Sequence, residues 1–395
     1  MKVYITGIGC ISPIGKNKEE NLISLSEGSS GLKRAEIFQS KYASNFYFGE
    51  VNYSNEQIAT MVDVEGIKGI TRTDLLAFKA FSEAVADANL SKDEISSPKT
   101  AFISASTVGG MCLTNQLYND SNLISETNEF LESYRAHAQG AKIVEKYKIK
   151  GWVDVINTAC SSSANAIMNG ARLIKSGRAQ RVVVGGVDSL SKYTVNGFNS
   201  LQILSTEKCA PFDAHRKGLN LGEAGAYLVL ENQEMARGKM IYAKVVGYGN
   251  TNDAFHASSL SEEGVGIVKV IREALQVANI QPSEIDYINA HGTGTQNNDA
   301  VELNAFHTVF EKTPPFNSTK SYIGHTLGAA GAVEAIFSIF SLMNDEIYAH
   351  QNFTKPIETH SLSPVTEKVK TLVQFAMSNS YGFSGNCTSL IFEKA

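Results

Sequence analysis

Three side chains in this chain of 395 residues have types and surroundings suited to acyl-thioester chemistry. Cys160 lies in "NTACSSSANAI", where the β-branched run "VDVIN" meets a helical pattern. A thiol at that junction lies near unpaired backbone N–H groups and the positive end of a helix dipole, and both favour thiolate. We therefore predict a nucleophile at Cys160 with a lowered pKa. The alternative is a small buried hydrophobe, the usual fate of a lone cysteine.

Two histidines have equally unusual surroundings. His291 follows an apolar run in "INAHGTGTQNND", and His325 lies in "STKSYIGHTLGAAG" at the start of a second helical pattern. A histidine at a helix N-terminus is biased toward its neutral form, which donates one hydrogen bond without carrying charge. Two such donors aimed at one oxygen suit stabilisation of an enolate better than general-base catalysis. The other histidines lie in polar contexts and are expected at the surface: His137, His215, His256, His307, His350 and His360.

An internal duplication predicts how these residues are brought together. The first half runs "KVYITGIG", "TAFISASTVGGM", "DVINTACSSSANAI" and "RVVVGGVDS", and the second runs "IYAKVVGYG", "IDYINAHGTGT", "NSTKSYIGHTLGAAGAVEAI" and "QFAMSNSYGFSGN". This period predicts two related α/β halves, residues 1–240 and 241–395. The helix in "LGAAGAVEAIFSIFSL" is apolar nearly all round and so buried between two sheets. Central helices of this kind would direct Cys160 and His325 toward one pocket.

Composition and charge exclude several classes of function. The chain is 43% hydrophobic with a net charge of −5, which gives no overall electrostatic reason to bind nucleic acid or an anionic membrane. Its five cysteines are far apart, so we predict no zinc site or disulfide framework and a cytoplasmic location. "MKVYITGIGC" indicates a first strand rather than a signal peptide, and no apolar stretch is expected to be long enough to span a bilayer. In "TGIGCISPIG", Ser12 and Pro13 interrupt a dinucleotide-loop pattern, so no cofactor is predicted.

Four motifs in order, "TACSSS", "HGTGT", "KSYIGHTLGAAGAVEA" and "SNSYGFSG", resemble the β-ketoacyl-acyl carrier protein synthases, condensing enzymes of the thiolase-like superfamily. The resemblance spans nearly the whole chain. It implies an α/β thiolase-like fold whose duplicated halves form an α-β-α-β-α layered sandwich. It also implies an acyltransferase that joins a malonyl unit to a cysteine-bound acyl chain with loss of carbon dioxide, in fatty acid or polyketide-like biosynthesis.

The resemblance assigns the catalytic roles. Cys160 matches the nucleophile that accepts an acyl group from a carrier protein. His291 and His325 match the two histidines that hold the malonyl thioester carbonyl during decarboxylation. The backbone N–H groups of Cys160 and Phe383 match the oxyanion hole, and the Phe383 ring matches an aromatic gate on a glycine-rich loop.

Further positions receive supporting roles from the same resemblance. Lys320 is expected to pair with Asp299 and Glu302, although those carboxylates could equally mark a solvated helix start. Val108 in "STVGGM" matches a residue that lines the acyl pocket. His256 in "NDAFHASSL" could lie near the malonyl entrance or at the surface.

The implied partner is an acidic acyl carrier protein, which a basic patch would receive. Lys68 and Arg72 in "IKGITRTD" fall where docking residues of the family occur, or they are ordinary solvated charges. A homodimer is expected, and a heterodimer is possible because the polar segment 112–150 departs from the family's usual dimer-contact stretch. Ser384 in "GFSG" is expected to stiffen the gate loop.

Two other functions remain as alternatives. One is a non-catalytic partner that sets chain length in a heterodimer, but such partners usually lack the nucleophile, and Cys160 is present. The other is a degradative thiolase, which needs a second active cysteine near the C-terminus. Cys387 lies there, but after the gate motif.

Overall fold

The computed structural model describes residues 1–123, 128–358 and 360–395. Its strands are β1 (Tyr4–Ile11), β2 (Leu32–Lys33), β3 (Phe48–Gly49), β4 (Thr100–Ala105), β5 (Val153–Ile156), β6 (Arg181–Asp188), β7 (Ala224–Glu231), β8 (Ala243–Asn252), β9 (Tyr287–Asn289), β10 (Phe316–Asn317), β11 (Glu346–Ile347), β12 (Val369–Lys370), β13 (Phe375–Tyr381) and β14 (Asn386–Lys394).

The α-helices are α1 (Lys18–Glu27), α2 (Asn55–Ala59), α3 (Arg72–Asp87), α4 (Lys92–Ile95), α5 (Thr114–Leu123), α6 (Ala138–Tyr147), α7 (Ser162–Lys175), α8 (Lys192–Ser200), α9 (Val265–Ala278), α10 (Gln296–Val309), α11 (Lys320–Ile323) and α12 (Ala330–Asn344). Short 3₁₀ turns cover Gly109–Leu113, Glu132–Tyr134, Pro282–Glu284, Leu327–Ala329 and Phe383–Gly385. The polar segment 112–150 therefore contains α5 and α6.

The main sheet displays the duplication directly. Its ten strands run in the order β10-β9-β13-β14-β8-β1-β7-β6-β4-β5. At the centre β1 pairs antiparallel with β8, with Tyr4 opposite Lys244 and Ile5 opposite Ala243. Outward from this seam, β7, β6, β4 and β5 on one side correspond to β14, β13, β9 and β10 on the other. The predicted duplication is confirmed, and the two half-sheets join into one.

Alternating side chains along each strand build the layers. On β6, Val182 and Val184 pack into a central core with α7 and α12, whereas Val183 packs with α3 on the opposite face. On β14, Leu390 faces the same central core, whereas Ile391 packs with α9 and α10. The order is thus helix, half-sheet, the central pair α7 and α12, half-sheet, helix. The predicted thiolase-like α-β-α-β-α arrangement is confirmed.

The central pair explains the small residues of "LGAAGAVEAI". A side-chain carbon at Gly331 would lie 2.6 Å from the backbone nitrogen of Ala164, so α12 approaches α7 at backbone distance. The helical stretch Leu327–Asn344 has a mean hydropathy of 1.4 and is 89% buried inside the protein. By length and composition it could cross a membrane, so the expectation that no stretch is long enough is wrong on those two criteria. Its burial makes it a core helix.

Candidate active site

Cys160, His291, His325 and Phe383 all line one cavity of about 420 Å³. Duplicated elements bring two of them there. The thiol follows β5 and precedes α7, and the imidazole of His325 follows β10 and α11 and precedes α12. His291 comes from the end of β9, which lies two strands from β14 in the sheet.

Both imidazoles are neutral and carry their proton on Nε2. Nδ1 of His325 accepts a hydrogen bond from the Leu327 N–H at 3.3 Å. Nδ1 of His291 lies 3.3 Å from Nζ of Lys320, an ammonium that only donates. Burial, followed by the charge of Lys320, holds the pKa of each histidine well below its ordinary value.

The two rings therefore present Nε2–H donors from nearby positions, with centroids 5.5 Å apart and planes at 84°. The expectation of two neutral donors agrees with this geometry, but its stated cause for His325 was wrong. Helix α12 begins only at Ala330, beyond a 3₁₀ turn, so burial and Lys320 neutralise the ring rather than a helix dipole at its own position.

The predicted lowering of the Cys160 pKa is wrong for this cavity. The thiol is buried, and desolvation raises its pKa to about 11. The charge of Lys320 and the backbone N–H of Phe383 act in the opposite direction without overcoming burial. Helix α7 starts at Ser162, so the sulfur lies just outside its first turn. In the resting protein Cys160 is therefore a protonated thiol.

Lys320 does not pair with Asp299 and Glu302 as predicted. Its ammonium forms a short ion pair with Glu334 of α12, and both side chains are only 1% exposed. Burial raises the pKa of Glu334 to about 7, and Lys320 opposes that rise. Glu334 was not among the predicted site residues. It is the single charged residue in "LGAAGAVEAIFSIFSLMN", and a lone charge in a buried helix indicates a partner.

Asp299 and Glu302 instead shape the turn that carries His291. The Asp299 carboxylate accepts the N–H groups of Thr293 and Gly294, at 3.0 and 3.2 Å. Glu302 accepts the His291 N–H at 2.9 Å and the next N–H along the chain at 2.8 Å. Burial raises the pKa of Glu302 to about 8. These buried carboxyls fix the imidazole through its backbone.

The gate residue meets both the nucleophile and a second aromatic ring. The Phe383 N–H acts to lower the pKa of the Cys160 thiol, as a backbone donor near the sulfur would. The Phe383 ring stacks on Phe198 of α8, with centroids 5.5 Å apart and planes at 18°. Sequence reasoning missed Phe198. Ser384 has φ +66°, a left-handed conformation that strains a serine, and its N–H donates to the Ala257 carbonyl at 2.8 Å.

The predicted pocket and docking residues have mixed outcomes. Val108 does not line the cavity and belongs to a separate buried apolar cluster. Its N–H donates to Asp188 at 3.0 Å, a buried carboxylate that the sequence analysis missed. Lys68 is exposed. Arg72 is not free to dock a partner, because its guanidinium forms two short hydrogen bonds to the fully buried Glu223.

Three other predictions concern histidines and Cys387. His350 and His360 are buried, contrary to expectation. His350 accepts the Ser318 N–H at 3.1 Å, and burial lowers its pKa to about 4. His256 is exposed, and its Nδ1 accepts the N–H of Ser258, a residue that lines the cavity. Cys387 is buried and does not line the cavity, which removes the second thiol that a thiolase would need there.

Across the described part of the chain, no three His, Cys, Asp or Glu side chains cluster in a way that could hold a metal ion. The cysteines that this part contains are all free thiols. The cavity brings together one thiol and two imidazole donors, with a buried ammonium–carboxyl pair behind them.

Comparison with known proteins gives a consistent result. Residues 1–236 match the beta-ketoacyl synthase N-terminal domain, and residues 242–354 match the beta-ketoacyl synthase C-terminal domain. The chain is 33% identical to the mitochondrial 3-oxoacyl-[acyl-carrier-protein] synthase of Arabidopsis thaliana, over 99% of this chain and 93% of that one. It is 32% identical to 3-oxoacyl-[acyl-carrier-protein] synthase 1 of Haemophilus influenzae, over 100% and 99%.

Solved structures are similar over the full length. The ishigamide ketosynthase/chain length factor superposes with a TM-score of 0.94 at 28% identity, covering 100% of this chain and 99% of that chain. A type II polyketide ketosynthase assembly, AntDE:AntF, described with its acyl-carrier protein and a bound hexaketide, superposes with a TM-score of 0.89 at 26% identity, covering 100% and 99%.

Proposed function

The chain belongs to the β-ketoacyl synthase family, and we propose that it acts as a 3-oxoacyl-[acyl-carrier-protein] synthase, in fatty acid or polyketide-like biosynthesis. The observation that carries this proposal is the cavity at which one buried thiol meets two Nε2–H imidazoles. Relatives about one-third identical over nearly their full length carry the same activity in their names. No cofactor takes part in the proposed reaction.

Loading transfers an acyl group to Cys160. The sulfur attacks the acyl carbonyl of the carrier thioester, and the N–H groups of Cys160 and Phe383 stabilise the oxyanion of the tetrahedral intermediate. The bond to the carrier sulfur then breaks, and the proton of the Cys160 thiol ends on the departing carrier thiol. Because burial keeps Cys160 protonated, attack and proton loss must be coupled.

Condensation begins when a malonyl carrier thioester replaces the emptied carrier. His291 and His325 donate their Nε2–H groups to the thioester oxygen, and the bond to the carboxylate breaks with loss of carbon dioxide. The electron pair left behind forms an enolate. Neutral imidazole donors stabilise its oxygen by hydrogen bonds without forming an ion pair with it. The enolate carbon attacks the acyl carbonyl on Cys160. The bond to sulfur breaks and a 3-oxoacyl chain two carbons longer leaves on the carrier. The Cys160 thiolate then takes up one proton from solvent.

Buried charges behind the cavity support this chemistry. Lys320 keeps Nδ1 of His291 occupied as an acceptor, and Glu334 compensates the ammonium. Asp299 and Glu302 hold the histidine turn. We propose that these four act as positioning residues. Val108 does not line the cavity itself, so its proposed role is in a separate acyl pocket beyond the gate, where it belongs to the apolar cluster that Phe198 also contacts.

We propose an acyl carrier protein as partner and a dimer as the active form. The neighbour AntDE:AntF is described with its acyl-carrier protein, and other neighbours pair a ketosynthase with a chain length factor. Lys68 is exposed and so remains a candidate for docking, whereas the guanidinium of Arg72 is paired with the buried Glu223. Strand β5 is an edge strand whose neighbouring Trp152 and own Val153 are 59% and 41% exposed, a surface typical of strand pairing between chains.

Two further expectations remain part of the proposal. The halves 1–240 and 241–395 act as the units that carry the nucleophile and the two histidines. A cytoplasmic location agrees with the free cysteines and with the burial of the apolar helix α12.

Intact-mass and peptide mass spectrometry after incubation with an acyl carrier protein tests the proposal. We expect one acyl adduct, on Cys160, which is absent in Cys160→Ala and retained in the matched control Cys387→Ala. Condensation measured with malonyl carrier protein should be lost in the first variant and kept in the second. Activity that survives Cys160→Ala, with no adduct on the parent protein, would favour the non-catalytic chain-length partner instead.

A further inference from the structure

We propose that Ser161 and Asn386 form a clasp that sets the spacing between the two oxyanion donors, the N–H groups of Cys160 and Phe383. The proposal rests on the function proposed above and concerns how its oxyanion hole is built. Ser161 belongs to the "TACSSS" motif, and Asn386 directly follows "GFSG". The structure connects these two motifs to each other.

The two donors come from elements far apart in the chain. Cys160 lies in the turn before α7, and Phe383 lies in the loop between β13 and β14. Their separation therefore depends on contacts between turn and loop. Ser161 Oγ lies 2.7 Å from Oδ1 of Asn386. Ser161 directly follows Cys160 in the chain, and Asn386 comes three residues after Phe383. The hydroxyl carries one proton, which it shares between this acceptor and the Thr158 carbonyl at 2.8 Å.

Asn386 is itself held by a cluster of amide side chains, of which Asn165 is buried and Asn250 and Asn386 are partly buried. Its Oδ1 also accepts from Nδ2 of Asn165 on α7, at 3.0 Å, and from Nδ2 of Asn250 on β8, at 2.9 Å. The Asn165 amide oxygen in turn accepts the Thr388 hydroxyl of β14 at 2.8 Å. A polar network whose hydrogen bonds are satisfied in this way favours one arrangement of the elements that carry it. The clasp is thus anchored to the central helix and to both neighbouring strands.

The same asparagine closes the base of the gate loop. The Gly382 N–H donates to the Asn386 carbonyl at 2.7 Å. A side-chain carbon at Gly382 would lie 2.6 Å from the Thr158 carbonyl, so the loop packs directly on the nucleophile turn. Oxyanion donors act only within a narrow distance range, roughly 2.7–3.1 Å. A contact that holds turn and loop together therefore acts on the reaction through Cys160 and Phe383, which makes Ser161 and Asn386 positioning residues.

Two rates separate this role from general stability. Acylation of Cys160 uses the oxyanion hole, whereas decarboxylation of a malonyl carrier thioester without acyl donor uses the two histidines. We expect Ser161→Ala to slow acylation about tenfold, a part of the loss expected for removal of a whole donor, and to change decarboxylation by less than about twofold. Asn386→Ala should do the same, and the double variant should acylate no more slowly than the slower single variant, because both remove one shared contact.

Ser163→Ala is the matched control. Ser163 is equally buried in the first turn of α7, but its hydroxyl accepts the Ala332 N–H of α12 at 2.9 Å, on the side of the central helix pair rather than that of Asn386. It should lower the melting temperature without separating the two rates. If Ser161→Ala acylates at the parental rate, or if both rates fall together as the melting temperature falls, the clasp is overturned. Ser161→Ala decides alone if Asn386→Ala does not fold. A parent protein that is never acylated refutes the proposed function instead.

Discussion

Replacing Lys320 by methionine tests whether its ammonium fixes the donor face of His291. In the structure Nζ lies 3.3 Å from Nδ1 of His291, so the imidazole proton must lie on Nε2, toward the cavity. Without the ammonium, the proton can move to Nδ1 and leave an acceptor facing the substrate oxygen. Loss of one oxyanion-type donor costs about 3–4 kcal/mol of barrier, or roughly 10²–10³ in rate. We expect carbon dioxide release from a malonyl carrier thioester to fall by that factor.

The same change should cost less stability than breaking most buried ion pairs. Removing one partner of a buried pair usually costs about 3–5 kcal/mol, because the other charge stays buried and unpaired. The pKa of Glu334 is already raised to about 7 with Lys320 present, so the carboxyl will become neutral rather than stay charged. We expect a loss of about 3 kcal/mol or less in the free energy of unfolding, measured by denaturant titration.

Lys142→Met is the matched control for this experiment. Lys142 is also largely buried and pairs with a buried carboxylate, that of Asp74, at 2.6 Å, but it does not line the cavity. It should lose comparable stability with decarboxylation unchanged. The reasoning fails if folded Lys320→Met decarboxylates within about threefold of the parent protein, because no donor would then have been lost.

Three further predictions follow from the charges at and around the site. The rate of Cys160 alkylation by iodoacetamide should rise about tenfold per pH unit up to pH 10, because burial raises the pKa of the thiol to about 11. A plateau in that rate near pH 9 would contradict the effect of burial. The rate of carbon dioxide release should not change between about pH 5.5 and 7.5, because the pKa of each cavity histidine lies well below its ordinary value. A drop in rate centred on pH 6.5 would mean that a solvated imidazole stabilises the enolate. Arg72→Met should lower the free energy of unfolding by about 3–5 kcal/mol, because it leaves Glu223 buried and unpaired, but the folded variant should bind carrier protein as the parent does. Lys68→Glu should weaken carrier-protein binding at unchanged stability. The reverse pattern in a binding titration would restore Arg72 as a docking residue.

Local sequence was sufficient for the types of the reacting groups and for the fold. Cys160, His291 and His325 each lie where an apolar strand pattern ends and a tight turn begins. Such a boundary can be recognised from a few neighbouring residues. The duplicated order of four segments likewise predicts two equivalent half-sheets, because strands and helices of the same period and order fold in the same way. The sheet order around the seam of β1 and β8 agrees with that inference.

Charge pairing could not be predicted from spacing. Asp299 and Glu302 were the obvious carboxylates for Lys320, yet both face backbone N–H groups of the histidine turn. The partner, Glu334, lies on a different helix, and its distance from Lys320 depends on how α11 and α12 pack. Arg72 shows the same limit, because its partner Glu223 is distant in the chain and only the fold brings them together.

The order of residues along the chain determined which groups could react and which elements carry them, because motifs and hydrophobic periods are local properties. Only the tertiary structure decided their ionisation, their partners and their access. Desolvation of the Cys160 sulfur, the neutral state of both histidines and the stacking of Phe383 on Phe198 each arise from surfaces that distant segments contribute. Burial and charge act through space, and the distances that control them do not exist until the chain has folded.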